Sequence, residues 1–280
     1  MTGVMRLKNR TAVVTGAASG IGRGIAVSLA RRGCNLALAD VNDAGISETA
    51  RMAQSAQTEP PDSLRITQHH LDVADRRAVA AFPEAVVAAH PGVDILVNNA
   101  GVAVGGTFEA TSEEDFEWLF EINFWGVVRM TRAFLPLLRK SDDARLVNLS
   151  SLYGLIAPPG QTAYSASKYA VRGFSNSLRH ELAGSNVGVT VVHPGGVATS
   201  IADSARVPKD MPPEEVARRR AIAKKALRLP PQTAGEIIVK GIERRSPRVL
   251  VGNDAKLLAL VERLAPASYW KFLNRMIPKV

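Results

Sequence analysis

Tyr164 and Lys168 lie four residues apart in the segment TAYSASKYAV, residues 162–171. On a helix, side chains at that spacing project from one face a single turn apart. A phenol, with an ordinary pKa of about 10, is a poor base at neutral pH. An ammonium within several ångströms favours the phenolate. The chemistry on offer is therefore proton transfer to or from a hydroxyl. A solvated helix face carries the same spacing, so other segments of the chain have to decide between the two.

The stretch TGAASGIG, residues 15–22, puts Gly16, Gly20 and Gly22 between the β-branched run RTAVVT and the helical pattern IGRGIAVSLARRG. Glycines there let the backbone turn tightly and approach a diphosphate, with Ser19 and Ile21 beside them at the helix opening. The amides and dipole of that helix then meet the anion. The spacing is G-x3-G-x-G, not the commoner G-x-G-x-x-G, and a glycine-rich turn without a ligand is the competing reading. Asp40 ends the next strand-like run, NLALAD, 24 residues after Gly16, where an acid can bond the adenosine ribose hydroxyls. A carboxylate about 4 Å from a 2′-phosphate would repel it by several kcal/mol at an effective dielectric near 20. Losing one neutral hydrogen bond costs only about 1 kcal/mol. Asp40 thus favours NAD over NADP, and neither Ser19 nor Val41 adds a cation for that phosphate.

Elements that would position these residues alternate along the chain. NLALAD, LRITQHHLD, VDILVNNAG, ARLVNLSS, NVGVTVVHPGG and PRVLVGN read as strands. Helical patterns separate them, including AGISETARMAQSAQ, DRRAVAAFPEAVVAAH, a long stretch at 113–140, the segment opening near Tyr164, and TAGEIIVKGIERR. Apolar runs of about five residues between helices imply strands covered on both faces, hence a parallel sheet with right-handed crossovers. The expectation is α/β: one domain, doubly wound, with insert-like regions at 200–231 and 253–280.

Composition bounds the rest. The chain has 280 residues, 46% of them hydrophobic and 22% charged, enough for a substantial core. Cys34 is the single cysteine, so no intrachain disulfide forms and a reducing, cytoplasmic setting is the simplest expectation. No signal peptide is visible. The uncharged stretches 146–167 and 182–202 are broken by Pro, Gly and polar residues and do not read as membrane spans. Residues 1–200 hold 18 Lys/Arg and 18 Asp/Glu, whereas residues 201–280 hold 17 and 8. The whole net charge of +9 therefore sits in the last 80 residues, which argues against a nucleic-acid partner and for a special C-terminal segment.

Six segments in order resemble the short-chain dehydrogenase/reductase family over about residues 7–252. TGAASGIG resembles its cofactor turn. LDV at 71–73, with Asp72 and Val73, resembles its adenine contact. NNAG at 98–101, with Asn99, Ala100 and Gly101, resembles the segment beside the cofactor. INFWG places Asn123 at the family's asparagine, and NLSS followed by YSASK matches Ser…Tyr-x-x-x-Lys, with Ser151 lying 13 residues before Tyr164. PGGVAT at 194–199, with Pro194, Gly195, Val197 and Thr199, resembles the loop holding the nicotinamide carboxamide.

The resemblance implies a Rossmann-type domain over residues 1–252 with a mobile substrate lid at about 200–231. It implies that Lys168 depresses the Tyr164 pKa and holds the nicotinamide ribose, that Ser151 bonds the reacting oxygen, and that Asn123 fixes a water passing protons from Lys168 to solvent. The implied activity is NAD-dependent interconversion of a secondary alcohol and its ketone. A lipid-like or steroid-like substrate is expected from the Leu, Ile and Met of the lid and tail. An NADP-linked 3-oxoacyl reductase is the alternative, and a dinucleotide-binding protein without turnover is a third reading. A homodimer or homotetramer, paired through the long central helices, is expected from the family.

Other conspicuous residues read as structural. His69 and His70 lack further ligands at metal spacing. His193, before Pro194, reads as a core or strand-end histidine rather than a substrate contact. Tyr153 reads equally as pocket lining and as structure, and Cys34 as buried and inert. The Lys/Arg cluster within 200–231 reads as a solvated helix face. In the extension at 253–280, Leu257, Leu258, Val261 and Leu264 form one helical stripe, and Tyr269, Leu273, Met276 and Ile277 a second. Packing on a subunit or over the active site, peripheral contact with a membrane surface, and disorder are the three readings of this tail.

Overall fold

A computed structural model describes residues 3–57 and 64–276. Among these residues seven strands form one sheet: β1 (Thr11–Thr15), β2 (Asn35–Asp40), β3 (Ile66–His70), β4 (Ile95–Asn98), β5 (Ala144–Leu149), β6 (Val187–Pro194) and β7 (Arg248–Val251). Every neighbouring pair is parallel, in the order β3-β2-β1-β4-β5-β6-β7. β1 and β5 are buried along their whole length, as expected of strands covered on both faces, although β5 buries Arg145 and Asn148 among its apolar residues. Side chains alternate between two cores. Ala12 and Val14 of β1 point to α1 (Gly20–Ala30), α2 (Asp43–Ala56) and α8 (Pro231–Glu243), which supply Ile25, Leu29, Ile46 and Ile238. Val13 points to α3 (Arg76–Ala89) and α5 (Gly126–Leu138), which supply Phe82, Met130 and Phe134. Each such burial contributes about 1.5–3 kcal/mol. The expected doubly wound single domain is the one found.

The chain runs outward from β1 to β3 and then returns to place β4 on β1's other side. The strand order reverses there, which opens a crevice beyond the carboxyl ends of β1 and β4.

The long helical stretch at 113–140 is not uniform. α4 (Glu113–Phe120) passes into a π-helical turn, Glu121–Trp125, before α5 begins. The Gly126 N–H reaches back to the Glu121 carbonyl. Such wide turns expose backbone at one point of an otherwise closed ladder, and this one carries Asn123.

The remaining elements are α6 (Thr162–Glu181), α7 (Pro213–Ala226), α9 (Asn253–Leu264) and α10 (Tyr269–Met276). α7 has no buried residue, and Arg218 and Arg219 pair with its own Glu215. Arg206 anchors the 200–231 segment to α4, lying 3.6 Å over the Trp118 ring and 2.8 Å from Asp115. The helices α9 and α10 pack on the loop after β5: Leu258, Ala259, Tyr269, Trp270 and Leu273 meet Leu152, Leu155 and Ile156. The Ala157 N–H also donates to the Tyr269 hydroxyl at 2.8 Å. The first expected stripe is corrected here. Leu257 and Leu264 are exposed, and the inward face is Ala255, Leu258 and Ala259, because small side chains let α9 lie close to the domain. In the second stripe, Ile277 and the Met276 side chain lie outside the described residues. No described helix is long and apolar enough to cross a membrane.

Candidate active site

Both groups of sequence-selected residues come to the carboxyl edge of the sheet. On the β1–β2 side, Gly16 and Gly20 have φ of 64° and 53°, the left-handed region that favours glycine. Asn99 staples the turn, donating from Nδ2 to the Thr15 and Gly16 carbonyls at 2.9 and 3.0 Å. Thr15 Oγ1 accepts from the Asn99 and Ala100 N–H groups at 3.0 and 3.1 Å. The exposed Ser19 stands at the N-cap of α1 but makes no capping bond, and no acid lies in the first turn. By contrast, α2, α3 and α4 are capped by Asn42, Asp75 and Ser112. Ile21, half-buried, packs on the core behind the turn. The free first-turn amides of α1 and the glycine cradle fit a dinucleotide diphosphate.

Asp40 is half-buried at the end of β2, where Oδ2 accepts from Ala18 N–H at 3.0 Å and Oδ1 from Asn42 N–H at 3.1 Å. Arg23, the basic residue of this helix start, is turned to Thr49 and the Ala18 carbonyl. Leu71 N–H bonds the Asp40 carbonyl at 2.9 Å, so Asp72 and Val73 follow directly beside Asp40. Asp72 is exposed and caps Ala74, while Val73 is buried against Gly126. Across the crevice Pro194 and Val197 are buried, and the Thr199 methyl faces Gly20 closely enough that a Cβ there would lie 2.9 Å away.

On the β4–β5 side, α6 opens with Tyr164 and carries the buried Lys168, whose Nζ lies 5.6 Å from the Tyr164 ring centroid and donates to the Leu149 carbonyl at 3.2 Å. Ser151 lies near enough to the Tyr164 phenol to oppose the effect of its burial, and Ser151 Oγ accepts from Tyr153 N–H at 3.1 Å. Asn123 is fully buried and committed: Oδ1 accepts from Val102 N–H at 2.8 Å, and Nδ2 donates to the Val102 carbonyl at 3.0 Å and Ser167 Oγ at 3.2 Å. A carbon added to Gly101 would lie 3.1 Å from Asn123 Oδ1 and 3.4 Å from Lys168 Nζ, so these three residues converge. Tyr153 stands edge-on to Tyr164, with ring centroids 6.1 Å apart.

Burial pushes the Tyr164 phenol up to about 12, opposed by the neighbouring Ser151, and pushes Lys168 down to about 8. In both groups desolvation of the charged form is the largest cause.

Several residues at the site were not assigned a role from sequence. His193 is fully buried, and its Nδ1 donates to the Ser151 carbonyl at 2.9 Å, while burial pushes it down to about 4. Asn98 and Asn148 form a buried ladder between β4 and β5 at 2.8 Å. Asp254 of α9 bonds Gly196. The strand alternation gave no signal for these contacts across distant segments. His69 bonds Thr67 and stands edge-on to Phe82, and His70 pairs with Asp43. Among the described residues no three His, Cys, Asp or Glu side chains are grouped to hold a metal ion. Cys34 is buried, which pushes its thiol far up.

The sequence pattern of short chain dehydrogenases matches residues 10–210. SadH of Mycobacterium tuberculosis is 40% identical over 278 residues, covering 97% of this chain and 96% of that protein. A short chain dehydrogenase/reductase from Burkholderia phymatum, solved in complex with NAD, superposes with a TM-score of 0.84 at 29% identity, covering 94% of this chain and 95% of that one. An alcohol dehydrogenase from Thermococcus sibiricus, complexed with 5-hydroxy-NADP, superposes with a TM-score of 0.66 at 26% identity, covering 86% of this chain and 95% of that one.

Proposed function

The chain belongs to the short chain dehydrogenase family, and from that premise we propose that it interconverts a secondary alcohol and its ketone with NAD. Bound NAD supplies hydride acceptance and donation at the substrate carbon. Gly16, Ser19, Gly20, Ile21 and Gly22 hold its diphosphate, Asp40 the adenosine ribose, and Asp72 and Val73 the adenine side. Asn99, Ala100 and Gly101 line the central crevice, and Pro194, Gly195, Val197 and Thr199 the carboxamide end. Tyr164 takes the proton of the alcohol, and Ser151 bonds the same oxygen and steadies its developing charge. Burial penalises a lone phenolate and a lone ammonium alike. Together beside each other, the Tyr164 phenolate and the Lys168 cation offset those penalties, so Tyr164 is a base only while Lys168 is charged. With its side chain committed to Val102 and Ser167, Asn123 is left with its backbone carbonyl, in the π-helical turn, to hold a water for proton exchange with Lys168.

The observation that carries this reading is the meeting of Ser151, Tyr164 and Lys168 at the sheet edge that also bears the uncapped glycine turn. The test is a screen of alcohols and ketones of graded size, followed by nicotinamide absorbance with NAD and with NADP. Turnover of bulky apolar secondary alcohols with NAD is expected, since Leu152, Tyr153 and the tail residues Tyr269 and Trp270 bring an apolar wall to the site. A clear preference for NADP would retire the weight placed on Asp40 and favour the 3-oxoacyl reductase; no turnover with either would favour the binding protein.

The half-buried row of Phe116, Phe120 and Phe124, with Trp125 45% exposed, supports self-association through the central helices, which light scattering on a sizing column tests. The tail, seated on the loop after β5, is assigned to packing over the site rather than to a membrane surface. Vesicle flotation of the full chain against a version ending at Asn253 separates those two. The single buried Cys34 fits a reducing, cytoplasmic compartment.

A further inference from the structure

Three segments of the chain meet at the backbone of one residue, Gly196. Its N–H donates to Asp254 Oδ2 at 2.6 Å. Its carbonyl accepts from the Arg228 and Leu229 N–H groups at 2.9 and 3.0 Å. Asp254 opens the C-terminal extension, Arg228 and Leu229 close the 200–231 segment, and Gly196 lies in the 194–199 loop. Adjacent bonds continue the seam: Ala198 N–H donates to the Leu229 carbonyl at 2.8 Å and Gly195 N–H to the Val251 carbonyl at 2.9 Å. The Asp254 carboxylate lies so close to Gly195 that a Cβ there would collide with it, and a Cβ on Gly196 would strike the Ala226 carbonyl. The junction is therefore main chain and one carboxylate. At the other end of the loop, Thr199 rests against Gly20 of the glycine turn.

We propose that Asp254 is a positioning residue whose carboxylate ties the C-terminal extension to the 194–199 loop and the 200–231 segment, so that dinucleotide affinity and the order of that segment depend on the extension. The proposal rests on the reading of 194–199 as a cofactor loop given above. The physical reason is entropic. A loop already fastened through both the N–H and the carbonyl of one residue has less freedom to lose when a ligand orders it. Asp254 is exposed, so the effect is that of a single solvent-accessible hydrogen bond, roughly three- to tenfold.

Two readouts test it on the full-length protein: NADH affinity by fluorescence titration, and limited trypsin cleavage within residues 209–228, which hold seven Lys/Arg from Lys209 to Arg228. Asp254→Ala is expected to raise the NADH Kd roughly three- to tenfold and to speed cleavage by a similar factor. Asp254→Asn keeps an acceptor oxygen and is expected to stay within about twofold of wild type. Should Asp254→Ala fail to fold, Asp254→Glu, which moves the carboxylate by one methylene, is expected to show the same two changes. An Asp254→Ala protein with a lower Tm but unchanged Kd and unchanged cleavage would overturn the proposal. If the wild type binds no NADH, the functional reading fails instead, and the cleavage rates alone decide whether Asp254 holds the segment.

Discussion

The glycine turn and the Tyr164 cluster share one edge of the sheet but work by opposite means. The turn offers backbone: two residues at positive φ, uncapped helix amides, and a half-buried carboxylate. The cluster offers side chains, a buried Lys168 beside a half-buried Tyr164, and desolvation opposes the ionisation of both. The turn should therefore resist most side-chain changes yet fail when a Cβ intrudes. The cluster should keep its shape under substitution yet lose its chemistry when one charge or hydroxyl is removed.

The largest expected effect falls on the cluster. Tyr164→Phe should lower kcat about a thousandfold, within the range for removing a general base, while the NADH Kd stays put; an equal loss of both would erase the contrast. Gly16→Ala should do the reverse. A Cβ there meets Asn99 Nδ2 at 2.7 Å at a φ of 64°, a strain of about 1–3 kcal/mol, to be read as a raised Kd with kcat at saturating cofactor nearly unchanged.

Lys168→Met sharpens the electrostatic half. Without the cation the Tyr164 pKa rises, so the limb of the pH–kcat/KM profile should move to more alkaline pH by about 1–3 units. A limb that stays in place would assign it to another group.

His193 supports the cluster from behind. His193→Leu should lower kcat about tenfold through the displaced Ser151 backbone, with His193→Asn recovering most of it. Its ring also links pH to folding. The folded ring, pushed down to about 4, stays neutral where an unfolded histidine with a pKa of about 6.5 charges. Its stability is fully present above about pH 6.5 and is lost as pH falls towards about 4, by up to about 3 kcal/mol. His90, also buried and pushed down to about 4, contributes in the same direction. Thermal melts between pH 7 and pH 4 should fall less steeply in His193→Asn. The smallest effect is expected on NAD binding at Asp40, where Asp40→Ala should raise the NAD Kd by several-fold, about the worth of one hydrogen bond, while relieving the larger repulsion of a 2′-phosphate.

The alternation of apolar runs and helical patterns made the parallel sheet legible, because strands buried on both faces leave unbroken apolar segments such as AVV and LALA. The glycine turn was legible for the same local reason, since only glycine fits the backbone there. The π-helical turn was not, because the clamp of Asn123 on Val102 spans 21 residues. Nor was the inward face of α9. Its pattern suggests Leu257 and Leu264, but both are exposed, and the residues that meet the 152–156 loop are Leu258 and Ala259.

What the residues determined by themselves is whatever depends on neighbours within a few positions: element type, the turn that needs glycine, and Tyr164 and Lys168 on one helical face. Tertiary structure alone decided which of those groups are desolvated and what touches them from afar. Ser151 receives His193 from 42 residues away and Gly196 receives Asp254 from 58. The ionisation of Tyr164 and Lys168 is a property of that burial, because the work of charging a group is set by the medium packed around it and not by its place in the chain.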